Sequence, residues 1–488
     1  MSAPTILHSE RSAARTGTDG LFRAIVWAGT GVFAAIHAAL IIGRYHQFGI
    51  YTFDFGIFDQ GLWLLSRFED PFITLRGLNL FADHSSYVMV LLTPIYWLWA
   101  DPRVLLVLTV VAIAAAGPLL YTIGRHIGLR PGLAAAIALA FFLHPAVRWQ
   151  TWDNFHPEAL VLPLLLGALV WVLDGRPWWA VGLICLALLT KEDAALVVVP
   201  FGLWVAWQCR ERTAGLTMAG LGVAAFTVNF LVLLPHLSPT GDVLYSGRYT
   251  EYGSTLLGII GGVAANPGTV LGDITRPEAL SYLRDMVLTA PTSLASPIVL
   301  ALGAPITLAN TLSTHIYQID IRYHYTAYLL AATGIAALYG ARWLQDRARG
   351  TGYAAIITVI AVAAVAGLGP GPGRGAWGGI DDATALEAAL GRIGPDDVVS
   401  ASSTLAVHLA HREKIYRFPN PFRELDYGTP GISYDAAAAE VEWIVLDPAQ
   451  MASFAYATET LTELRAPPGG VQWEAVISSD EVLLLHRR

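Results

Sequence analysis

Five short stretches of this chain gather side chains that could do chemistry. The first, Tyr51-Thr-Phe-Asp54-Phe-Gly-Ile-Phe-Asp59-Gln60, sets two carboxylates among aromatic rings. An apolar wall raises a carboxyl pKa, which suits a general base; equally, Asp54 could cap a helix running on through Leu65. The second is Asp83-His84, residue types that ligate divalent cations or anchor a segment at an interface. The third runs from Arg148 to Glu158 and holds Asp153, His156 and Glu158, although Pro157 and Glu158 also suit the first turn of a helix. In the fourth, Thr190-Lys191-Glu192-Asp193, charges lie between two apolar runs, where they are costly and functional by default; a self-neutralising turn is the plainer reading. The fifth, Asp320-Ile-Arg322-Tyr323-His324-Tyr325, offers a guanidinium fork and hydroxyls for a phosphate or pyrophosphate, or else an aromatic belt with a snorkelling arginine. Arg248-Tyr249-Thr250-Glu251-Tyr252 is a weaker version of it.

The elements that must position these groups are membrane helices. Of the 488 residues, 55% are apolar and 14% charged, against about 25% charged in an average soluble protein. Mean hydropathy is +0.51. This excludes a disordered chain, a collagen and a basic nucleic-acid binder. Apolar stretches predict spans over 22–43, 103–123, 131–147, 157–174, 177–190, 193–208, 214–235, 323–340 and 351–369. Residues 284–311, with Pro291, Pro297 and Pro305, read as a pair of short or broken helices. Residues 84–100, interrupted by Pro94, read as a short span or an interface-lying helix. Residues 1–21 are polar and the apolar run after them is too long for a signal peptide, so an uncleaved first span is expected.

Arginines in short loops mark the cytoplasmic side. Arg11, Arg15 and Arg23, then Arg125 and Arg130, Arg210 and Arg212, and Arg342, Arg347 and Arg349 all fall inside only if 84–100 does not cross and 284–311 returns to its starting side. That predicts a polytopic α-helical membrane protein of about eleven spans, N-terminus inside and C-terminus outside. The long loops 44–102 and 236–283 then face outward, together with all five polar stretches or the span ends beside them.

The tail differs in kind. Residues 1–376 carry 22 basic and 21 acidic side chains, residues 377–488 carry 8 and 17. A Gly/Pro linker at 370–380 leads to 381–488, where helical and strand patterns alternate as in a small α/β domain. Two cysteines, Cys185 and Cys209, allow no disulfide framework or C-x-x-C metal motif. With no P-loop and no G-x-G-x-x-G, no nucleotide cofactor is expected and no nucleic-acid partner. Acids, a lysine and arginines on an outer face imply an anionic ligand reacting where ATP is absent. A lipid phosphate carrying an activated group meets that description.

The ordered runs DFGIFDQGLW, ADHSSY, LTPIYWLW, DNFHPE, LTKEDAALVV and IRYHYTAYLLA, over residues 20–345, resemble a bacterial family of multi-spanning membrane proteins defined as a domain of unknown function. That family in turn resembles the GT-C glycosyltransferase superfamily of protein O-mannosyltransferases and aminoarabinose transferases. The resemblance implies a cell-membrane enzyme that moves a sugar from a polyprenyl-phosphate donor to a glycan, lipid or protein acceptor on the extracytoplasmic face. Asp54 then matches the loop-one acid, 84–100 the juxtamembrane helix, and Asp153 the acid of a second outer loop. The D-F-G run departs from the usual paired acids, which leaves the base open between Asp54 and Asp59. On this reading Lys191, Arg322, Tyr323 and Arg248 meet the donor phosphate. His84, Asp153, His156 and Glu158 ligate, or support ligands of, an optional Mg²⁺ or Mn²⁺, with Glu192, Asp193 and His324 nearby. A transporter or flippase, or a non-catalytic scaffold, is the alternative.

Overall fold

The computed structural model describes residues 17–349, 351–451, 455–465 and 472–488. The chain is mostly helical, with one five-stranded sheet near its C-terminus. The expected N-terminal tail lies outside the described residues up to residue 16.

The first helix, Gly17–His46, has Asp19 in its first turn and Arg44 and His46 in its last, matching the helix dipole at both ends. Its 30 residues reach about 45 Å, enough to cross a hydrocarbon core of about 30 Å. Among the described residues, Thr18–His46, Arg103–His126 and Arg212–Leu237 can each cross alone by length and composition, and two bent helix pairs would raise that number to five. Eleven crossings require the shorter apolar helices, such as Pro177–Leu188 and Gly352–Ala366, to serve as spans.

Prolines break the helical order in two places. At His144 the helix Pro131–Leu143 bends by 49° into Pro145–Trp152, because the residue before a proline is driven out of helical conformation. The His144 ring accepts the Ala146 N–H at 3.2 Å and caps the second segment. The bent segment carries the first half of the third polar stretch and ends at Asp153. The Pro-rich region folds as short pieces, Pro291–Ala295, Pro297–Leu300 and Ala304–Leu312, packed against the helix Ala327–Arg347. A Cβ on Gly340 would stand 1.8 Å from the Thr292 carbonyl oxygen, so only glycine admits that approach.

The stretch 84–100 forms an 11-residue helix, Val88–Leu98. At about 16 Å it is too short to cross a bilayer core. The loop 236–283 is less open than its sequence implies. It contains the apolar helices Leu256–Ala265 and Pro267–Thr275, set at 90° to one another. Their Gly-rich sequence, LLGIIGGVAANPGTVLGD, hid them from a reading based on long apolar runs.

The first long loop, 44–102, carries a two-stranded ribbon, β1 (Phe72–Ile73) with β2 (Leu78–Asn79). The C-terminal sheet comprises β3 (Val399–Ala401), β4 (Ile415–Arg417), β5 (Trp443–Leu446), β6 (Trp473–Ser478) and β7 (Leu483–Arg487), in the order β4-β3-β5-β7-β6. β3 is parallel to β4 and β5, and β7 is antiparallel to β5 and β6. The residues between 370 and 380 do not form a free tether. Trp377 is buried, and the Ile380 N–H donates to the Gln47 carbonyl at 2.7 Å. The edge strand β4 is covered by the first long loop, with the hydroxyl of Thr74 donating to the Ile415 carbonyl at 2.8 Å. Phe48, Phe55 and Leu62 share one apolar cluster with Leu405, Ile415 and Val445. Sheet and loop therefore have a common core.

Candidate functional site

A cavity of about 620 Å³ opens between the loops 44–102 and 236–283 and the C-terminal sheet. Phe53, Asp54 and Arg76 come to it from the first loop, Tyr245 and Arg248 from the second, and His324 and Tyr325 from the segment before the helix Ala327–Arg347. Ser402 and Ser403, beyond the carboxyl end of β3, and Arg417, ending β4, close it from the sheet side. Carboxyl ends of parallel strands are where α/β sheets present ligand-binding loops.

Asp54 is central. It occupies the N-cap position of the helix Phe55–Ser66, yet its side chain makes no capping hydrogen bond, and its φ is 69°. A non-glycine residue in the left-handed region is strained, a state that persists where the surroundings impose it. The capping role open to Asp54 on sequence is thus not taken up. Among the described residues its carboxylate accepts no hydrogen bond. One ligand atom each from Asp54, His156 and His324 lies within 4.8 Å of the other two.

Behind Asp54 lies a buried polar cluster. The imidazoles of His156 and His324 stack with centroids 3.7 Å apart. Oδ2 of Asp153 accepts the His324 backbone N–H at 2.6 Å and stands 3.2 Å from His324 Nδ1 and 3.6 Å from His156 Nε2. A carboxylate on Nδ1 orients the ring and leaves Nε2 as its ligand or acceptor atom. Burial, reinforced by the charge of Asp54, holds the Asp153 carboxyl well above its ordinary range. Lys191 donates to Glu158 Oε1 at 3.0 Å, and the same oxygen is 3.6 Å from His324 Nε2. His84 Nδ1 lies 2.8 Å from Glu192, whose other oxygen accepts the Ser85 N–H at 3.0 Å. Asp193 accepts from the hydroxyl of Tyr328.

Arg248 brings positive charge to the cavity wall, beside the phenols of Tyr245 and Tyr325. The Arg248 guanidinium lies 4.3 Å from the Tyr245 ring centroid and 5.9 Å from that of Tyr325, whose hydroxyl is 3.4 Å from its Nη1. Lys191 Nζ is 5.4 Å from the same Tyr325 ring.

Asp54, Arg248, Tyr323, His324 and His84 thus meet at one cavity, with Asp153, His156, Glu158, Glu192 and Asp193 packed in or beside its buried wall. Three expected residues sit elsewhere. Arg322 is exposed and chelated by Asp320 at 2.6 Å, because a carboxylate two residues earlier captures the fork locally. Lys191 is only 5% exposed and faces Glu158 rather than the cavity. Asp59 is fully buried, accepting from the Tyr96 hydroxyl at 2.5 Å and lying 2.9 Å from His411 Nε2. It stands roughly 140° around the helix from Asp54, so the two acids cannot share a site. Arg76, Tyr245 and Arg417 went unnoticed in the sequence. Arg76 and Arg417 are single arginines in otherwise unremarkable loop and strand sequence, and only the packing of the sheet on the first loop brings them together.

The fold is similar to two crystal structures of ArnT from Cupriavidus metallidurans. One is bound to undecaprenyl phosphate, with a TM-score of 0.43, 13% identity, and 97% of this chain and 98% of that chain covered. The other is the apo state, with a TM-score of 0.41 at the same identity and coverage. No curated protein matches the chain. Residues 44–484, nearly the whole chain and every residue of the cavity, match the family described as predicted membrane protein (DUF2079), and the protein belongs to that family of membrane proteins.

Proposed function

We propose that this protein is a membrane glycosyltransferase that moves a sugar from a polyprenyl-phosphate donor to an acceptor hydroxyl on the extracytoplasmic face of a bacterial cell membrane. The N-terminus is inside, about eleven spans cross, and the C-terminal sheet is outside. The observation that carries this reading is Asp54, held at a strained φ, its carboxylate without a hydrogen bond among the described residues and facing a cavity that Arg248 also lines. A base with a free oxygen and a cation beside two phenols are what an inverting transfer from a phosphate ester needs.

Asp54 takes the proton of the acceptor hydroxyl as its oxygen bonds to the anomeric carbon, and the bond from that carbon to the phosphate oxygen breaks. The polyprenyl phosphate leaves with the electron pair, and Arg248, with the hydroxyl of Tyr325, meets the developing charge. Arg322 is not assigned to this step, and Lys191 acts through Glu158 and the histidines. Asp54, His156 and His324 could also hold a divalent cation, with Asp153 supporting His324 from behind. Two imidazoles and a carboxylate suit Mn²⁺ or Zn²⁺ better than Mg²⁺. When bound, such a cation would lower the pKa of the acceptor hydroxyl.

The test is transfer of labelled sugar from a lipid-phosphate donor by the purified full chain in nanodiscs. Asp54→Asn should lower kcat by about 10²–10⁴-fold, the usual contribution of a general base. Full activity in that variant would exclude Asp54 as the base, and no transfer by the native chain from any polyprenyl-phosphate sugar would remove the reading itself.

A further inference from the structure

Two arginines at the cavity have no part in the proposed transfer step. Arg76 of the first loop and Arg417 of β4 lie 5.9 and 5.3 Å from the ring centroid of Phe53, the residue before Asp54. Both line the cavity. Their meeting depends on close backbone packing. Gly77 has φ +71°, and a Cβ there would stand 2.8 Å from the Gly428 nitrogen, whose N–H donates to the Arg76 carbonyl at 2.8 Å.

A guanidinium carries five N–H donors, and few of these are used. Arg76 donates at 2.8 Å to the Asp426 carbonyl, while its buried Nε makes no closer contact than the 3.5 Å ion pair with Asp83. Arg417 donates at 3.1 Å to the Leu425 carbonyl. The nearest carboxylates are loose partners: Asp83 at 3.5 Å from Arg76 and Asp426 at 3.6 Å from Arg417. Asp83 already accepts from the Tyr245 hydroxyl at 2.6 Å, and the Asp426 side chain is 69% exposed. Arg322, gripped by Asp320 at 2.6–3.0 Å, shows how a satisfied arginine looks in this protein. Two half-buried guanidiniums on one ring repel each other, and an anion placed between them would relieve that repulsion.

We infer that Arg76 and Arg417, with Phe53 as platform, form a second anion site, separate from Arg248, that binds a phosphate or carboxylate carried by the acceptor. The acceptor is then an acidic molecule whose reacting hydroxyl is presented to the adjacent Asp54. Only the word acceptor rests on the transferase reading; anion binding does not.

The experiment measures binding of labelled inorganic phosphate to the full chain in neutral-lipid nanodiscs at constant ionic strength, with and without saturating short-chain polyprenyl phosphate. Phosphate should still bind when polyprenyl phosphate fills the Arg248 side. Arg76→Gln and Arg417→Gln should each weaken that residual binding by tenfold or more. Arg417→Lys, which keeps the charge but lacks the fork, should weaken it as well, while Arg248→Gln should leave it intact. Loss of all phosphate binding on adding polyprenyl phosphate would assign the arginines to the donor and overturn the inference, as would unchanged binding in the two glutamine variants. A chain that binds phosphate here but transfers no sugar would sink the transferase reading alone. One that transfers sugar but binds no second phosphate would sink this inference alone.

Discussion

Each charge around the cavity has a different degree of freedom, and that decides its role. Asp54 has no hydrogen-bonded partner among the described residues and is available to a substrate. Lys191 and Glu158 are bonded to each other at 3.0 Å and both buried, so they set the shape and charge of the wall. Removing one member of such a pair leaves an uncompensated buried charge and costs about 3–5 kcal/mol. Lys191→Met is therefore expected to lower thermal stability sharply in detergent. The double variant Lys191→Met with Glu158→Gln should recover most of the loss, because neither side then carries a bare charge. Equal unfolding temperatures for the single and double variants would contradict the pairing. The Lys191 signal was legible in the sequence as an embedded charge. Its partner was not, because Glu158 lies 33 positions away and had an adequate local role at a helix start.

At the scale of elements, the contact between the helix Phe55–Ser66 and the C-terminal sheet region includes one titratable pair beside its apolar core. His411 Nε2 stands 2.9 Å from Asp59, which the Tyr96 hydroxyl also holds. Burial disfavours the charged imidazole, but the Asp59 carboxylate outweighs it and lifts the His411 pKa above the ordinary 6.5. A group whose pKa is raised by folding stabilises fully below its unfolded value and loses that contribution as pH rises through the raised one. Hydrogen exchange in β3 and β4 should accordingly quicken as pH climbs above about 6.5, beyond the intrinsic base-catalysed increase. His411→Ala should remove that extra dependence; an identical excess in the variant would place its origin elsewhere. The alternation itself was readable: the helical and strand patterns over 381–488 became the α/β arrangement that contains β3, β4 and β5. Its helices include Pro448–Met451 and Ala455–Arg465, with 452–454 outside the described residues.

At the scale of the molecule, the acidic tail is not an appendage. Its sheet shares an apolar cluster with the first long loop, and one wall of the cavity is built from it. Residues 377–488 expressed alone would expose the faces of Leu405, Ile415 and Val445 that Phe48, Phe55 and Leu62 cover in the whole chain. That segment should lack a cooperative thermal transition and show collapsed amide dispersion by NMR. A well-dispersed spectrum would mean that the shared core is dispensable. The charge split of 8 basic to 17 acidic residues in this segment also acquires a place. Its basic Arg417 turns inward to the cavity, while acids such as Glu440 and Glu459 are largely exposed.

Composition and periodicity alone determined that this is a helical membrane protein with an α/β tail, because burial in lipid and the twofold and 3.6-fold repeats are local properties of the chain. They also determined that the chemistry gathers in a few polar stretches between spans. Only the tertiary structure decided which of those residues meet. Asp54 and Asp59, five positions apart, face different surroundings because a helix turns them apart, whereas Arg76 and Arg417, more than three hundred positions apart, flank one ring because the sheet packs on the loop. Arg322 and Arg248 looked alike in sequence, and the difference between them is a neighbouring Asp320 that folds back on one and no such carboxylate bonded to the other. Long-range packing selects among groups that the sequence can only nominate, since a side chain's function depends on what neutralises it and what it faces.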